Sequence, residues 1–264
     1  MKKKLLSALA AMLCAACLAC ALAEGGGFFM SPVATPAPEA IQLPSLYRGD
    51  RGGYVRILQQ MLIELDYLSG GADGDFGGKT ESAVRQAQAM AGLASTGVAD
   101  GAFLARLYSG GVPDAYGDYV EPATRIVRYS ATSQHRDKYG SYTVDNAFDG
   151  RLDTTWAEDA SGYGEGEGIS FTVATFGRDS FILDLWAGYQ KKSSIYYNNG
   201  RPKDILLTVD GHAFAYQLAD TMSSQSFTIP NADGKLFMEL GVTIQSVYPG
   251  KKWKDTCISE IQVR

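Results

Sequence analysis

The chain has 264 residues, with 24 Lys and Arg against 29 Asp and Glu and a formal net charge of -5; its sequence pI is near 5.1. An acidic chain with no clustered basic face excludes nucleic acid as a partner. The length allows one or two domains with a real core, and beyond the leader no run is apolar for long enough to span a bilayer.

Lys2, Lys3 and Lys4 precede an apolar stretch from Leu5 to Leu18, and Ala21-Leu22-Ala23 forms a small-x-small step before Glu24. This pattern predicts a secretory signal peptide over 1–23. A retained membrane anchor and lipid attachment at Cys20 are the alternatives. Cys14, Cys17 and Cys20 belong to the leader, so only Cys257 of the 4 cysteines remains and no internal disulfide forms. A cysteine-poor exported chain points to a bacterial source and to the cell wall or the extracellular space. Residues 24–46 hold Gly25-Gly26-Gly27 and Pro32, Pro36, Pro38 and Pro44, which predicts an extended, semi-flexible linker.

From 47 to 109 the period is helical. Val55, Leu58, Leu62 and Leu65 form one apolar stripe, Ala83, Val84, Ala87 and Met90 a second, and Phe103, Leu104 and Leu107 a short third. Gly- and Asp-rich loops separate them, so a small three-helix bundle is expected. Asp73-Gly74 asks for a positive-φ turn, Phe76 is placed to plug the bundle, and Thr80 to cap the second helix beside Glu81. Residues 110–123 read as a second linker. Beyond Thr124, short runs rich in β-branched and aromatic residues recur: 169–173, 180–186, 204–209, 213–218, 224–229, 235–244 and 257–263. Val209-Asp210-Gly211-His212 is a hairpin signal. Many strands without a helix period predict an all-β antiparallel sandwich over 124–264.

Asn146 to Trp156 is an acidic turn. Asp149, Asp153 and Thr154 offer oxygens around Gly150, which suits either a hard cation or a plain Asp-Gly turn. Tyr189, Tyr196, Tyr197, Asn198, Asn199, Arg201, Tyr248 and Trp253 mix aromatic faces with planar polar groups, the chemistry that a sugar with its apolar CH face and ring of hydroxyls requires. A solvated loop with structural tyrosines is the other reading. Catalysis finds little support. His135 and His212 stand alone, outside metal-ligand spacings; no Ser-x-x-Lys occurs; Cys257 has no neighbouring histidine in sequence. The carboxylates of Tyr163-Gly164-Glu165-Gly166-Glu167 sit in too glycine-rich a loop to serve as a rigid acid.

Two resemblances sharpen this. Arg48-Gly49-Asp50-Arg51-Gly52, Leu58-Gln59, Tyr67-Leu68, Asp73 to Thr80, Gln88, Gly92-Leu93 and Thr96 to Asp100 together resemble the peptidoglycan-binding domain of bacterial wall hydrolases, with Ala87 where that family usually has a large aromatic. The resemblance implies a three-helix bundle that binds wall glycopeptide, with Arg48, Asp50, Gln59 and Asp75 as candidate contacts. Asn146 to Trp156, paired with Asp255 to Ile261, resembles discoidin-like jelly rolls. Gly188 to Lys192, Tyr197 to Lys203 and Val247 to Lys251 are similar to the translocation domain of NAD glycohydrolases. This second resemblance implies a glycan-binding sandwich, with Tyr189, Tyr197, Asn199, Arg201, Tyr248 and Trp253 facing the sugar. It also implies a structural Ca2+ joining the acidic turn to the last strand through the carbonyls of Asn146, Arg151 and Ser259, the carboxylates of Asp149 and Glu260, and the Thr154 hydroxyl. The expected whole is a multidomain, non-catalytic envelope protein whose partners are peptidoglycan and a wall or cell-surface glycan. A module that recruits a protein to the wall and a weak wall hydrolase are the alternatives.

Overall fold

The computed structural model describes residues 43–120 and 123–264. The expected signal peptide (1–23), and all of the first linker except its last four residues, lie outside the described residues. Three helices come first: α1 (Gly53–Glu64), α2 (Gly78–Met90) and α3 (Gly101–Tyr108). Their apolar stripes meet in one core in which Leu58, Met61, Leu62, Phe76, Leu104 and Leu107 are buried. Each of two loops is tied down by a glutamine from the preceding helix. Gln59 Nε2 donates to Asp73 Oδ1 (2.8 Å), the Asp75 carbonyl (3.0 Å) and Thr80 Oγ1 (3.1 Å), and its Oε1 accepts from the Gly74 amide (2.7 Å). Gln88 does the same for the loop at Gly97 and Val98. Gly74 has φ +75°, as the turn requires. Thr80 does not cap α2. The helix begins at Gly78 without a side-chain cap, and Thr80 lies buried within it as an acceptor for Gln59.

The strands follow: β1 (Arg125–Ala131), β2 (His135–Asp137), β3 (Gly140–Tyr142), β4 (Trp156–Ala157), β5 (Gly168–Ala174) and β6 (Ser180–Ala187). A short helix α4 (Ser193–Asn198) precedes β7 (Arg201–Val209), β8 (His212–Gln217), β9 (Gln225–Pro230), β10 (Phe237–Tyr248) and β11 (Cys257–Val263). They build a five-stranded sheet in the order β1-β5-β10-β7-β8, a four-stranded sheet β4-β11-β6-β9, and the separate hairpin β2-β3. The strand pairs are antiparallel. The sandwich core holds Trp156, Phe171, Leu183, Leu185, Ile205, Val242, Ile244 and Ile258. Burying side chains of this size contributes about 1.5–3 kcal/mol each, which explains the alternation along β6 and β10. Asp210 and Gly211, both at positive φ, close β7 onto β8 as a two-residue turn.

The bundle and the sandwich share a packed junction. Val127 and Ala174 of the sandwich join the helical core. Tyr54 of α1 stacks on Tyr129 of β1 (5.3 Å between centroids), which stacks in turn on Phe148 (4.3 Å). Tyr54 Oη donates to the Tyr129 carbonyl at 2.6 Å, and Arg125 pairs with Glu64. The expected linker over 110–123 is, in its described part, a strap against the bundle: Val112 is buried, the Ala115 amide bonds the Leu65 carbonyl, and Tyr67 Oη donates to the carbonyls of Pro113 and Asp114. Among the described residues no helix is long and apolar enough to cross a membrane.

Candidate functional site

The β2–β3 hairpin and the loops after β6 and β10 frame an open cleft of about 400 Å³. The hairpin contributes His135, Asp137, Tyr139 and Tyr142; the opposite wall contributes Tyr189, Lys252, Trp253 and Asp255. Asp137 Oδ1 accepts from the amides of Tyr139 (2.8 Å) and Gly140 (2.9 Å), so the side chain itself closes the turn. His135 Nδ1 lies 2.7 Å from Asp159 Oδ1, and its Nε2 is 3.9 Å from Asp137 Oδ2. The hydrogen bond to Asp159, reinforced by the nearby carboxylates, raises the histidine above its ordinary range. A raised histidine stabilises the fold fully below its unfolded value, and that contribution fades as pH rises through the folded value. The hairpin is therefore held most firmly at mildly acidic pH. The His135 ring stacks on Tyr142 (5.9 Å), and Tyr142 meets Tyr189 edge-on at 6.3 Å. Lys252 Nζ lies 4.5 Å above the Trp253 ring.

The facing loops are held by one arginine. Arg201 is only 5% exposed. Its Nε and Nη2 grip both oxygens of Asp220 (2.9 and 3.0 Å), and Nη1 donates to the carbonyls of Asn199 (2.9 Å) and Pro249 (3.1 Å). The rings of Tyr196, Tyr197 and Tyr248 surround the guanidinium at 5.4, 5.5 and 5.9 Å. Arg201 thus ties the Asn199 turn to the loop that carries Trp253. The Lys252 and Trp253 amides bond the Asn198 carbonyl. Gly250 permits this approach, since a Cβ there would lie 2.2 Å from the Trp253 carbonyl.

Of the six expected sugar-facing residues, Tyr189, Asn199 and Trp253 line the cleft. Asn199 is nearly buried and donates to the Ile195 carbonyl. Arg201 is a correction: expected to face a sugar, it is instead buried and bonded to Asp220 and to the carbonyls of Asn199 and Pro249, where it positions loops. Tyr197 and Tyr248 pack on it outside the cleft, and Tyr248 Oη donates to the Leu218 carbonyl. His135, Asp137, Tyr142 and Asp255 were missed. Their signal was faint, because three-residue strands show no alternation, although Asp137-Lys138-Tyr139-Gly140 is a legible turn.

The acidic turn and the last strand do form a clasp. Glu260, 2% exposed, accepts from the amides of Gly150 (3.1 Å) and Arg151 (3.3 Å). Thr154 Oγ1 donates to both Asp149 oxygens (3.0 and 2.9 Å) and lies 3.1 Å from the Arg151 carbonyl. Ser259 Oγ donates to the Thr154 carbonyl at 2.9 Å. The Arg151 side chain turns away to Asp153, and Asn146 Nδ2 bonds the carbonyls of Ser141 and Thr155. Burial, then the charge of Asp149, pushes Glu260 up to about 8. Burial also raises Asp149. Two confronted, desolvated carboxylates beside a hydroxyl and backbone carbonyls form an oxygen donor set that fits a hard cation. No cluster of three or more His, Cys, Asp or Glu suited to a metal occurs among the described residues, which leaves backbone oxygens to complete any such shell.

On the bundle, Gln59 is a second correction. It is 2% exposed with its amide saturated by the loop at 73–75, so it builds the fold. Arg48 is exposed and lies 3.6 Å from Glu81. Asp50 accepts from the Tyr47 amide, and Asp75 pairs with Arg51 at 2.8 Å. Asp50 and Asp75 are partly exposed.

A peptidoglycan binding domain model matches residues 51–107. Among solved structures, the family 32 carbohydrate-binding module of Clostridium perfringens NanJ, in complex with galactose, is 16% identical, with 53% of this chain and 98% of that one covered and a TM-score of 0.38. The C-terminal domain of a chitobiase from Bacteroides fragilis is 15% identical, with 53% and 92% covered and a TM-score of 0.33. An L,D-transpeptidase fragment from Xylanimonas cellulosilytica is 28% identical, with 42% of this chain and 61% of that one covered and a TM-score of 0.24. The search of curated proteins returned no match. A second family model, the NAD glycohydrolase translocation F5/8 type C domain, matches residues 118–264; with more than half of its length accounted for in this way, the chain belongs to the NAD glycohydrolase translocation F5/8 type C domain family.

Proposed function

We propose that this is a secreted, non-catalytic envelope protein: its leader over 1–23 is removed, its bundle holds peptidoglycan, and its sandwich takes a glycan in the cleft beside Trp253. The observation that carries the reading is the cleft itself, where aromatic faces and acceptor side chains line one open cavity. Aromatic rings bury the CH face of a sugar and carboxylates accept its hydroxyls, a mix typical of small-molecule sites. Two weak contacts on one wall polymer gain from effective concentration. Arg48, Asp50 and Asp75 are the bundle residues placed to meet the wall. Attack by a thiol is disfavoured by chemistry: burial drives the Cys257 thiol far above its ordinary range, leaving no thiolate to attack.

Pull-down on purified peptidoglycan tests the wall reading. The intact mature protein is expected in the pellet, and labelled wall is expected to release no muropeptides. Protein left in the supernatant defeats the wall reading; release of muropeptides defeats the non-catalytic one. At the cleft, Trp253→Ala is expected to weaken glycan binding roughly ten- to thirtyfold, in line with about 1.5–2 kcal/mol for an aromatic anchor. Titration calorimetry against the glycan reads it directly.

The clasp takes Ca2+ through Asp149, Glu260 and Thr154, with the carbonyls of Asn146, Arg151 and Ser259. The ion would screen two buried like charges and fasten the turn to β11. Added calcium at about a hundredfold excess over its dissociation constant should stabilise the fold by about 2.7 kcal/mol. A melting curve with calcium and with chelator checks this, and Glu260→Gln should abolish the difference. Identical curves would return Asp149 to an ordinary turn.

A further inference from the structure

One imidazole lies where the two walls of the cleft meet. Asp159, Asp255 and Asp137 all act on His135, from after β4, from before β11 and from β2 itself. The ring Nδ1 lies 2.7 Å from Asp159 Oδ1, and Nε2 lies 3.9 Å from Asp137 Oδ2. Asp255 adds its charge from the opposite wall. Tyr142, stacked on the ring, and Cys257 in the same lining stay neutral, because burial raises both. The nearby ammonium groups of Lys138 and Lys252 lie over the rings of Tyr139 and Trp253. The hairpin that carries His135 belongs to neither large sheet. Neutral bonds fix its root: Trp156 Nε1 donates to the Ser133 carbonyl, and Asn146 Nδ2 to that of Ser141. At its tip Tyr139 is 79% exposed. The contact of His135 with Asp159 adds a fastening whose strength depends on the charge of the imidazole.

We propose that His135 is a positioning residue for the cleft, and that its proton sets glycan affinity by holding the β2–β3 hairpin in the binding geometry. This rests on the glycan reading of the cleft and adds its regulation. With the proton gone, the tie to Asp159 weakens, and the charges of Asp137, Asp159 and Asp255 are no longer screened by an imidazolium. The wall formed by Tyr139 and Tyr142 then loosens against Tyr189 and Trp253. The sign follows from the contact. Moving the hairpin away takes the ring from Asp159, so His135 holds its proton more tightly with the hairpin in place. Affinity is therefore highest below the ordinary histidine value of about 6.5 and falls as pH rises through the raised value. A partly exposed pair of this kind supports a fall of about three- to fivefold.

The test measures the affinity of the intact protein for immobilised galactose, glucose, mannose and N-acetylglucosamine at about pH 5.5 and about pH 8.5. The sugar that binds is expected to lose about three- to fivefold at the higher pH. His135→Gln should remove that dependence. Glu260, pushed up to about 8, titrates over the same range; the variant leaves it in place, so the difference between the two proteins isolates the imidazole. A flat affinity in the unaltered protein, or a fall that His135→Gln reproduces in full, overturns the inference while the glycan reading stands. If no sugar binds at either pH, both fall. Proton NMR of the unaltered protein decides the case even where the variant folds poorly. The chain has 2 His, and His212→Gln identifies the other signal. The His135 midpoint is expected above about 6.5, and bound sugar should raise it further, because linkage is reciprocal. A midpoint that bound sugar leaves unmoved would overturn the proposal.

Discussion

Arg201→Met lowers the melting temperature by roughly 6–12 °C and weakens glycan binding with it. The substitution keeps the apolar stem but removes the fork that holds Asp220 and the carbonyls of Asn199 and Pro249. Truncating one partner of a buried ion pair typically costs about 3–5 kcal/mol. Asp220 keeps 31% of its side-chain exposure, so the low end, about 3 kcal/mol, applies; for a chain of this size that converts to the stated shift. Arg201→Lys retains the charge but not the planar fork and should fall between. Two readouts separate this account from the earlier expectation of direct sugar contact. A positioning residue lowers the melting temperature of the free protein and loosens the Trp253 loop. A sugar ligand would lower affinity alone. An Arg201→Met protein that melts normally would contradict the clamp.

Gly53→Ala is the second large effect, and its sign is diagnostic. In an isolated helix this change stabilises by about 0.8–1 kcal/mol. Here a Cβ would lie 1.5 Å from Tyr129 Oη and 2.7 Å from Asp145 Oδ1, so the hydroxyl that donates to Asp145 at 2.7 Å has to leave. Overpacking of this kind costs about 1–3 kcal/mol, and the ring stack of Tyr54, Tyr129 and Phe148 shifts with it. Thermal melts should show a loss of roughly 3–8 °C. Tyr129→Phe removes the clashing oxygen, so the double variant should lose less than the two single changes combined. Stabilisation by Gly53→Ala alone would mean that α1 does not press on β1 as described.

Legibility in the sequence followed pattern strength. The three helical stripes and the strands from 169 onward were readable because burial of one face imposes period. β1 was not, since its register shifts between Ile126 and Arg128 and charged residues break the alternation. The hairpin at 135–142 escaped for a different reason: three-residue strands outside either sheet have no buried face to write a pattern. Yet that hairpin supplies one wall of the cleft, through His135, Asp137, Tyr139 and Tyr142. The clasp between Asp149 and Glu260 joins residues far apart in sequence, and only the resemblance to discoidin-like domains brought them together. Arg201 and Gln59 were misread for one common reason. A polar side chain in a motif looks like a ligand contact until its burial is known, and here both are buried and hydrogen-bonded to the loops they hold.

The central claim is that the cleft framed by His135, Tyr142, Tyr189 and Trp253 binds a glycan. A glycan array run with the intact protein beside Trp253→Ala tests it most directly. The expected result is signal for one class of sugar that drops about tenfold or more in the variant. Silence across the array, or a signal that Trp253→Ala leaves untouched, would contradict it.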